Sequence, residues 1–236
     1  MPAARRKLSA AHEDLTPTAR EGTMKRKTLD VIVGVGLVVL AGLLLVAGIV
    51  LTSNANFAND YVKTQLSQQQ ISFKTADTLT AEEKQSACLV QYAGQPLTTG
   101  KQAECYANEF IGLHLKSIAD GKTYAQLGDV QTDLKAKVAA AQKANDPALA
   151  DLQKQLTDTN TARETVFKGE TLRGLLLTSY GFSEFGVKAG QAALVAYLAA
   201  GLLFLLGAAG LVHAVRTPAS AGFAMPEAKV RETVTT

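Results

Sequence analysis

The feature that most constrains this chain is an unbroken apolar run, Val31–Leu51, which contains no charged residue and no proline. A helix of these 21 residues is about 30 Å long, which matches the hydrocarbon core of a bilayer. A second run of the same length, Ala192–Val212, lies towards the other end of the chain. Backbone groups inside a bilayer find no water to hydrogen-bond, so both runs must be helical. The sequence therefore predicts an all-α membrane protein with two transmembrane helices, at 31–51 and 192–212.

Basic residues flank the apolar runs on the sides that face the two chain ends. Lys25, Arg26 and Lys27 precede the first run, and Arg216 follows the second. The intervening segment, 52–190, carries fourteen basic and fifteen acidic residues and is therefore nearly neutral. Because basic residues beside a span favour the cytoplasmic side, we expect both termini in the cytoplasm and a plasma-membrane location.

The two runs divide the chain into five parts. We expect a disordered cytoplasmic tail at 1–30 and a polar cytoplasmic tail at 213–236. The segment between the spans, 52–190, is long enough to form an independent extracytoplasmic helical domain. A cleaved signal peptide is the alternative for the first run, but its apolar region would be only about 7–15 residues long. In either case the central domain lies outside.

The chain has two cysteines, Cys88 and Cys105, and both lie in the central segment. An even pair in an oxidising compartment is typical of a disulfide. The alternative is a pair of buried thiols. We predict a Cys88–Cys105 bridge that joins two consecutive helices of the outer domain.

The helices that carry the cysteines are predicted from local signals. Thr80 and Glu83 form a capping-box pattern at the start of a helix that runs to about residue 93. A loop with glycine and proline separates it from a second helix at about 101–119. We interpret the carboxylates of this region, Glu83 included, as ordinary solvated residues, and His114 as a structural histidine.

From residue 123 to residue 168 the apolar residues recur at three- and four-residue spacings, in two stretches that a turn sequence, Asn145-Asp146-Pro147, separates. This pattern predicts an antiparallel helical hairpin with a narrow, coiled-coil-like seam that is polar at Gln131, Thr159 and Arg163. A narrow seam buries little surface, so we expect a partner helix to complete it. The alternative is packing on the cysteine-bearing helices. The candidate interaction face consists of Leu134, Val138, Leu152 and Leu156.

Glycine and alanine positions provide further expectations. Gly169 is predicted to end the hairpin, and the apolar stretch after it is predicted to form a short separate helix. In the second span, Ala192, Ala196 and Ala200 form a row at four-residue spacing, which lets helices pack closely. The first span is predicted to continue outward as a helix to about Gln70.

The sequence has no motif that indicates a cofactor or a metal. It contains no phosphate-binding loop, no HExxH and no CxxC. The histidines are His12, His114 and His213, and only His114 lies in the central segment. Neither span contains a charged residue, which a transporter usually needs. The net charge of +3 is too small to indicate binding of nucleic acid.

Four stretches carry a resemblance to a known family: MKRKTLD, LTSNANFANDYV, TADTLTAEEKQSACLVQYAGQPLTTGKQAECYANEFIGLHL and DGKTYAQL. Over about Met24–Val215 the chain resembles a family of small actinobacterial membrane proteins of unknown function. Members often carry the label "aromatic ring-opening dioxygenase LigA". That label implies a non-haem iron site built from two histidines and a carboxylate, whereas the central segment has one histidine. The resemblance therefore implies a family and no mechanism.

These observations favour a non-enzymatic envelope protein with an interaction or scaffold role. We expect its partners to be the lipid bilayer and a protein or cell-wall component, with a second copy of the chain as a further candidate. The first alternative is a sensor input module that works with a separate output protein. The second alternative is the ring-opening dioxygenase of the family label.

Overall fold

The computed structural model describes residues 25–218, and every regular element in that range is helical. The all-α class is thereby confirmed for these residues. The predictions for most of the two tails, and His12, lie outside the described range. The two longest elements are α1, Arg26–Gln68, and α6, Leu149–Arg216. Each contains a stretch long and apolar enough to cross a membrane.

The described residues divide into two compact units, one formed by residues 25–41 and 201–218 and the other by residues 42–200. In the first unit, the start of α1 packs antiparallel on the end of α6. A Cβ atom at Gly207 would lie 2.9 Å from the backbone oxygen of Gly34, and one at Gly34 would lie 2.9 Å from Leu211. Only glycine allows this close approach of two helix backbones.

In the second unit, the remainder of α1 packs antiparallel on the remainder of the apolar part of α6. The ring of Tyr197 lies against Gly48, and its hydroxyl group is 3.0 Å from Oγ1 of Thr52. Further out, Gly186 packs on Ala58. The antiparallel pairing therefore extends along the helices of this unit well beyond residue 51.

Small buried residues recur every seven positions on both long helices. A seven-residue repeat is the spacing of a left-handed supercoiled helix pair. The predicted row at four-residue spacing is wrong at its first member, because Ala192 is exposed, whereas Ala200 is buried. The buried small residues at this spacing are Gly34, Ala41, Gly48 and Ala55 on α1, and Gly186, Ala193, Ala200, Gly207 and Ala214 on α6.

Residues 71–121, which we call the stapled subdomain, form a small cluster of short elements. The elements are a 3₁₀ turn at Glu83–Gln85, α2 at Ala87–Gln91, α3 at Gly100–Cys105, a π-helical turn at Tyr106–Ile111 and α4 at Gly112–Ser117. The single helix predicted to run from about 80 to 93 is wrong, because Ser86 is extended and separates the turn from α2.

Residues 123–168, which we call the arm, form the predicted helical hairpin. Its first helix is α5, Tyr124–Ala144, which Thr123 caps together with Gln126. Asn145 reverses the chain in a left-handed conformation, and α6 begins at Leu149.

The helix α6 continues without interruption from the arm to Arg216. The predictions that Gly169 ends a helix and that a short separate helix follows are therefore wrong. A Cβ atom at Gly169 would lie 2.6 Å from Cδ2 of Leu115. This glycine gives the stapled subdomain room to pack against a continuous helix.

Candidate functional site

The two helices of the arm are held by one narrow seam. On α5 the buried residues are Leu127, Leu134 and Ala141, at seven-residue spacing on one face. Contacts between Tyr124 and Phe167 and between Gly128 and Arg163 set the register of the two helices. Seven-residue spacing with a single buried stripe is the pattern of a two-helix coiled coil.

The predicted interaction face lies along this seam, but its members are buried to different degrees. Leu134 retains only 7% exposure, so the arm itself already covers it. Val138, Leu152 and Leu156 are each half-buried. In the register of the arm, Val138 on α5 lies opposite the α6 turn that carries Leu152 and Leu156. These three residues form an apolar edge that is only partly covered.

The polar residues of the seam pair with one another. The amide nitrogen of Gln131 donates to Oδ1 of Asn160 at 2.6 Å, and Nη1 of Arg163 donates to Oε1 of Gln131 at 3.1 Å. The guanidinium group of Arg163 also lies 4.1 Å from the ring centre of Tyr124. Thr159 is half-buried one turn before Arg163. Such pairs favour one register of a helix pair over the alternatives.

The stapled subdomain packs on α6 beyond the arm and borders the base of the arm, where Leu115 and Tyr124 line a common cleft. Nη2 of Arg173 donates to Oδ1 of Asn108 at 3.3 Å. Nζ of Lys101 lies 3.1 Å from Oη of Tyr180 and 3.3 Å from a carboxylate oxygen of Glu184. These contacts, with that of Gly169, fall within residues 169–184. The described hydrogen bonds and ion pairs between the stapled subdomain and α6 therefore lie beyond the arm.

A disulfide joins Cys88 on α2 to Cys105 at the end of α3, with their Cα atoms 6.0 Å apart. The bridge that the sequence predicts is thus present in the structure. Cys105 is buried in the core of the subdomain with Leu89 and Leu97. The staple fixes α2 and α3 around this core.

Among the charged residues that the structure describes, Glu83 alone is buried, and it is fully buried. Its carboxylate accepts two hydrogen bonds from Nζ of Lys74, at 2.8 and 3.1 Å, and one from the backbone N–H of Thr80 at 2.8 Å. Burial alone would raise the pKa of Glu83, but Lys74 and the Thr80 N–H outweigh it and leave that pKa below its ordinary value. The prediction that Glu83 is solvated is wrong.

His114 faces the same carboxylate from α4. Its Nε2 lies 3.4 Å from Oε1 of Glu83, and its Nδ1 lies 2.6 Å from the backbone oxygen of Phe110. The imidazole ring also contacts the ring of Phe110, with 4.5 Å between centroids. Both ring nitrogens are therefore engaged by protein atoms, which is the arrangement expected of a structural histidine.

A groove of about 400 Å³ lies between α1 and α6 in the second unit. Its floor consists of Val62, Leu66 and Leu176, all buried, and its walls include the half-exposed side chains of Tyr61 and Phe182. The sequence does not predict this groove. It predicts a short separate helix after Gly169, whereas the groove is lined by residues 172–182 of the continuous helix α6.

The predicted topology anchors lie at one end of the first unit. Arg26 and Lys27 are in the first turn of α1, directly after Lys25, and Arg216 ends α6. His213 of α6 lies 3.8 Å from Asp30 of α1, so the antiparallel pair brings both basic ends together. All four anchor residues are exposed.

Neither local chemistry nor similarity identifies an activity. Among residues 25–218, no group of three or more His, Cys, Asp or Glu side chains is arranged to hold a metal ion. No family model, curated protein or solved structure matches this chain. The resemblance to the actinobacterial membrane family stays a prediction.

Proposed function

We propose that this chain is a two-span membrane protein that holds an outer helical domain at the cell envelope, with both termini in the cytoplasm. Only 17% of the apolar stretch of α1 and 11% of that of α6 is buried. Exposed apolar surface on this scale fits a lipid environment and not the surface of a soluble protein. The basic ends of the antiparallel pair lie together, as the positive-inside rule requires of a two-span protein.

The orientation is tested by single cysteine substitutions, Arg20→Cys, Ala140→Cys and Met225→Cys, labelled in intact cells with a membrane-impermeant maleimide. The native cysteines are bonded to each other and do not react. We expect labelling at position 140 alone. Labelling at position 20 or 225 would show that the assigned orientation is wrong.

The arm is the element that we assign to partner binding, in an interaction or scaffold role. One observation carries this assignment: the arm has a single seam, and the stapled subdomain packs on α6 beyond it. An apolar edge formed by Val138, Leu152 and Leu156 is left only partly covered. A partner helix laid along that edge would complete a three-helix bundle and bury these residues. The occupant that fits is therefore a helix of a second protein with its own apolar seven-residue repeat.

The assignment is tested with a photo-crosslinking amino acid at position 138 in the native membrane. The control position is Ala136, which is exposed and lies on the other side of α5. We expect adducts from position 138 and few from position 136, and the crosslinked peptide should carry an apolar seven-residue repeat. Leu156→Asp should lower the yield about tenfold, since a carboxylate cannot be buried in an apolar seam without a large penalty.

Several outcomes would contradict this assignment. If Leu156→Asp abolishes the helicity of the arm, Leu156 belongs to the arm's own seam and does not face a partner. An adduct with cell-wall glycan, or none at all, would exclude a partner helix. An adduct of twice the chain's mass would identify a second copy as the occupant instead.

A sensor input module is the second candidate, and the continuity of α6 favours it. The same helix carries the second half of the arm and the apolar stretch that ends before Arg216. A ligand that shifts the arm would therefore act on a helix that enters the membrane. Cysteines engineered near Asp30 and His213 would crosslink at a ligand-dependent rate in a sensor and at a constant rate in a scaffold.

A further inference from the structure

The groove between α1 and α6 has a lining of distinctive chemistry. None of its twelve lining residues is charged, and eight are apolar or aromatic. The other four are neutral polar residues at its rim, namely Gln65, Gln69, Thr178 and Ser179. Such a lining offers no partner for a phosphate, a carboxylate or an ammonium group, so it selects a neutral hydrocarbon ligand.

Large apolar side chains at the rim of this groove remain in contact with solvent. Leu175 is 62% exposed and Leu172 is 40% exposed, while Val62, Leu66 and Leu176 beneath them are buried at 3% each. An occupant would cover the two rim leucines and gain roughly 25 cal/mol for each Å² removed from water. The volume of about 400 Å³ lies within the range of small-molecule sites and is too small for a helix about 10 Å wide.

The position of the groove indicates where such a ligand would come from. Tyr61 and Phe182 line its lower end, and their rings contact each other and the ring of Phe57, with centroid separations of 5.8 to 6.4 Å. Tyr61 follows Leu51 by ten residues and Phe182 precedes Ala192 by ten residues. At about 1.5 Å per residue, both rings lie about 15 Å beyond the apolar runs, outside a headgroup layer that is about 5–8 Å thick.

We propose that this groove binds one hydrocarbon chain of a lipid from the outer leaflet, drawn up between α1 and α6. The proposal rests on the membrane insertion proposed above and is independent of the role of the arm. Phe57, six residues after Leu51, lies about 9 Å beyond the first apolar run and is the ring of the aromatic cluster nearest the headgroup region; Tyr61 and Phe182 extend the cluster to the groove. A chain that leaves the bilayer along this cluster passes from one apolar environment to another.

The test uses the full-length protein in vesicles of phosphatidylcholine and phosphatidylglycerol, with a phosphatidylglycerol that carries a diazirine near the end of one acyl chain. After irradiation, adducts are mapped by mass spectrometry. We expect adducts in both spans, and also in residues 61–69 and 172–182. Peptides that contain the exposed Val90 or Phe167, which do not line the groove, should remain unlabelled.

Two variants test whether the chain lies in the groove itself. Leu175→Glu places a charge at the rim, and Thr178→Trp fills the groove without adding charge. Each should lower the adduct yield in the groove peptides about tenfold, which corresponds to about 1.4 kcal/mol of binding. Val90→Glu, at an aliphatic residue with 50% exposure outside the groove, should leave the yield unchanged.

The labelling pattern distinguishes failure of the lipid site from failure of the proposed membrane insertion. Labelled spans with unlabelled groove peptides would overturn the lipid site and leave membrane insertion intact, whereas unlabelled spans would overturn both. Groove adducts that persist in both variants would show that the chain binds elsewhere. A photo-crosslinking residue at position 175 should give a lipid adduct, and a dimer instead would mean that a second copy fills the groove.

Discussion

The arm and the stapled subdomain are neighbours in the chain but are held together by different kinds of contact. The arm depends on a repeat: buried residues at seven-residue spacing and a polar pair, Gln131 with Arg163, that lies on the same seam. The stapled subdomain is built from short helical elements and depends on single contacts between distant residues, such as the disulfide and the pair Lys74–Glu83. A repeat distributes stability along its length, whereas single contacts concentrate it in a few side chains.

This difference predicts how each region responds to substitution. Removing one contact of the stapled subdomain should loosen residues 71–121 as a whole, while the arm keeps its protection against hydrogen exchange. A change in the arm should remain local to the arm. Hydrogen exchange followed by mass spectrometry reads the two regions separately in one experiment.

The largest effect is expected from Cys88→Ala combined with Cys105→Ala. The two residues are 17 positions apart, and the loop-entropy model gives about 3 kcal/mol for a bridge that closes a ring of this size. Amide protection in residues 71–121 should fall, whereas protection in residues 123–168 and membrane insertion should not change. Reduction of the wild-type protein should reproduce the effect. An equal loss in the arm would mean that the two regions unfold together.

Glu83→Ala should follow, with a loss of about 2 kcal/mol in the free energy of unfolding of the stapled subdomain. The substitution leaves Lys74 and the N–H of Thr80 without their buried acceptor. The side chain of Lys74 is 34% exposed and can still reach water, so the loss falls below that of a fully buried pair. Glu82→Ala is the matched control. The carboxylate of Glu82 is exposed, so its removal should change the free energy of unfolding by less than about 0.5 kcal/mol.

Acidification should also lower the free energy of unfolding of the stapled subdomain, but by less than Glu83→Ala does. It removes the charge of Glu83 and keeps its side chain. The pKa of this carboxyl group is lower in the folded protein than its ordinary value of 4.5. As the pH falls, the unfolded chain therefore takes up the proton first. The stability that the carboxylate provides at neutral pH is lost as the pH falls from the ordinary pKa through the lower pKa of the folded protein. Glu83→Gln should abolish this pH dependence.

The arm offers a comparison for this acid effect. The pKa of Glu164 is also lowered, first by its hydrogen bond with Lys168 and then by the charge of that lysine, but this pair is exposed. Salt screens exposed charges and affects buried ones much less. Added salt should therefore suppress any pH dependence in the arm and leave that of residues 71–121. A salt-sensitive acid transition in the stapled subdomain would contradict the role assigned to Glu83.

What could be predicted from the sequence follows the same division. The hairpin and its turn at Asn145 follow from residues within a few turns of one another, whereas Leu134, which is predicted to face a partner, is already buried by the arm. The burial of Glu83 depends on Lys74 and on His114 as well as on Thr80, and only the Thr80 contact is visible as a local capping box. Contacts between distant residues leave no periodic signal, so the local sequence pattern indicates a solvated carboxylate.

The long helices show the same limit in another form. Glycine in a helical pattern is ambiguous, because it either ends a helix or admits a neighbour, and at Gly169 the neighbour is Leu115. The sequence predicts a small-residue row at four-residue spacing, whereas the buried Ala193 and Ala200 are seven residues apart, the spacing of a supercoiled pair. The sequence pattern does not predict the groove, because Leu66 and Leu176 line it together only when both α1 and α6 continue beyond the spans.

The smallest effect is expected at the tip of the arm. Asn145 has a φ angle of 48° and its backbone N–H bonds to the carbonyl oxygens of Ala141 and Gln142, which closes α5. Alanine is strained in this left-handed conformation by about 1 kcal/mol, whereas glycine is not. Asn145→Ala should therefore increase hydrogen exchange in the last turn of α5 and the first turn of α6, and Asn145→Gly should leave both close to wild type. Residues 71–121 should be unaffected by either change. If Asn145→Ala also exposed the stapled subdomain, stability would be shared between the two regions, and the repeat of the arm would not be an independent source of it.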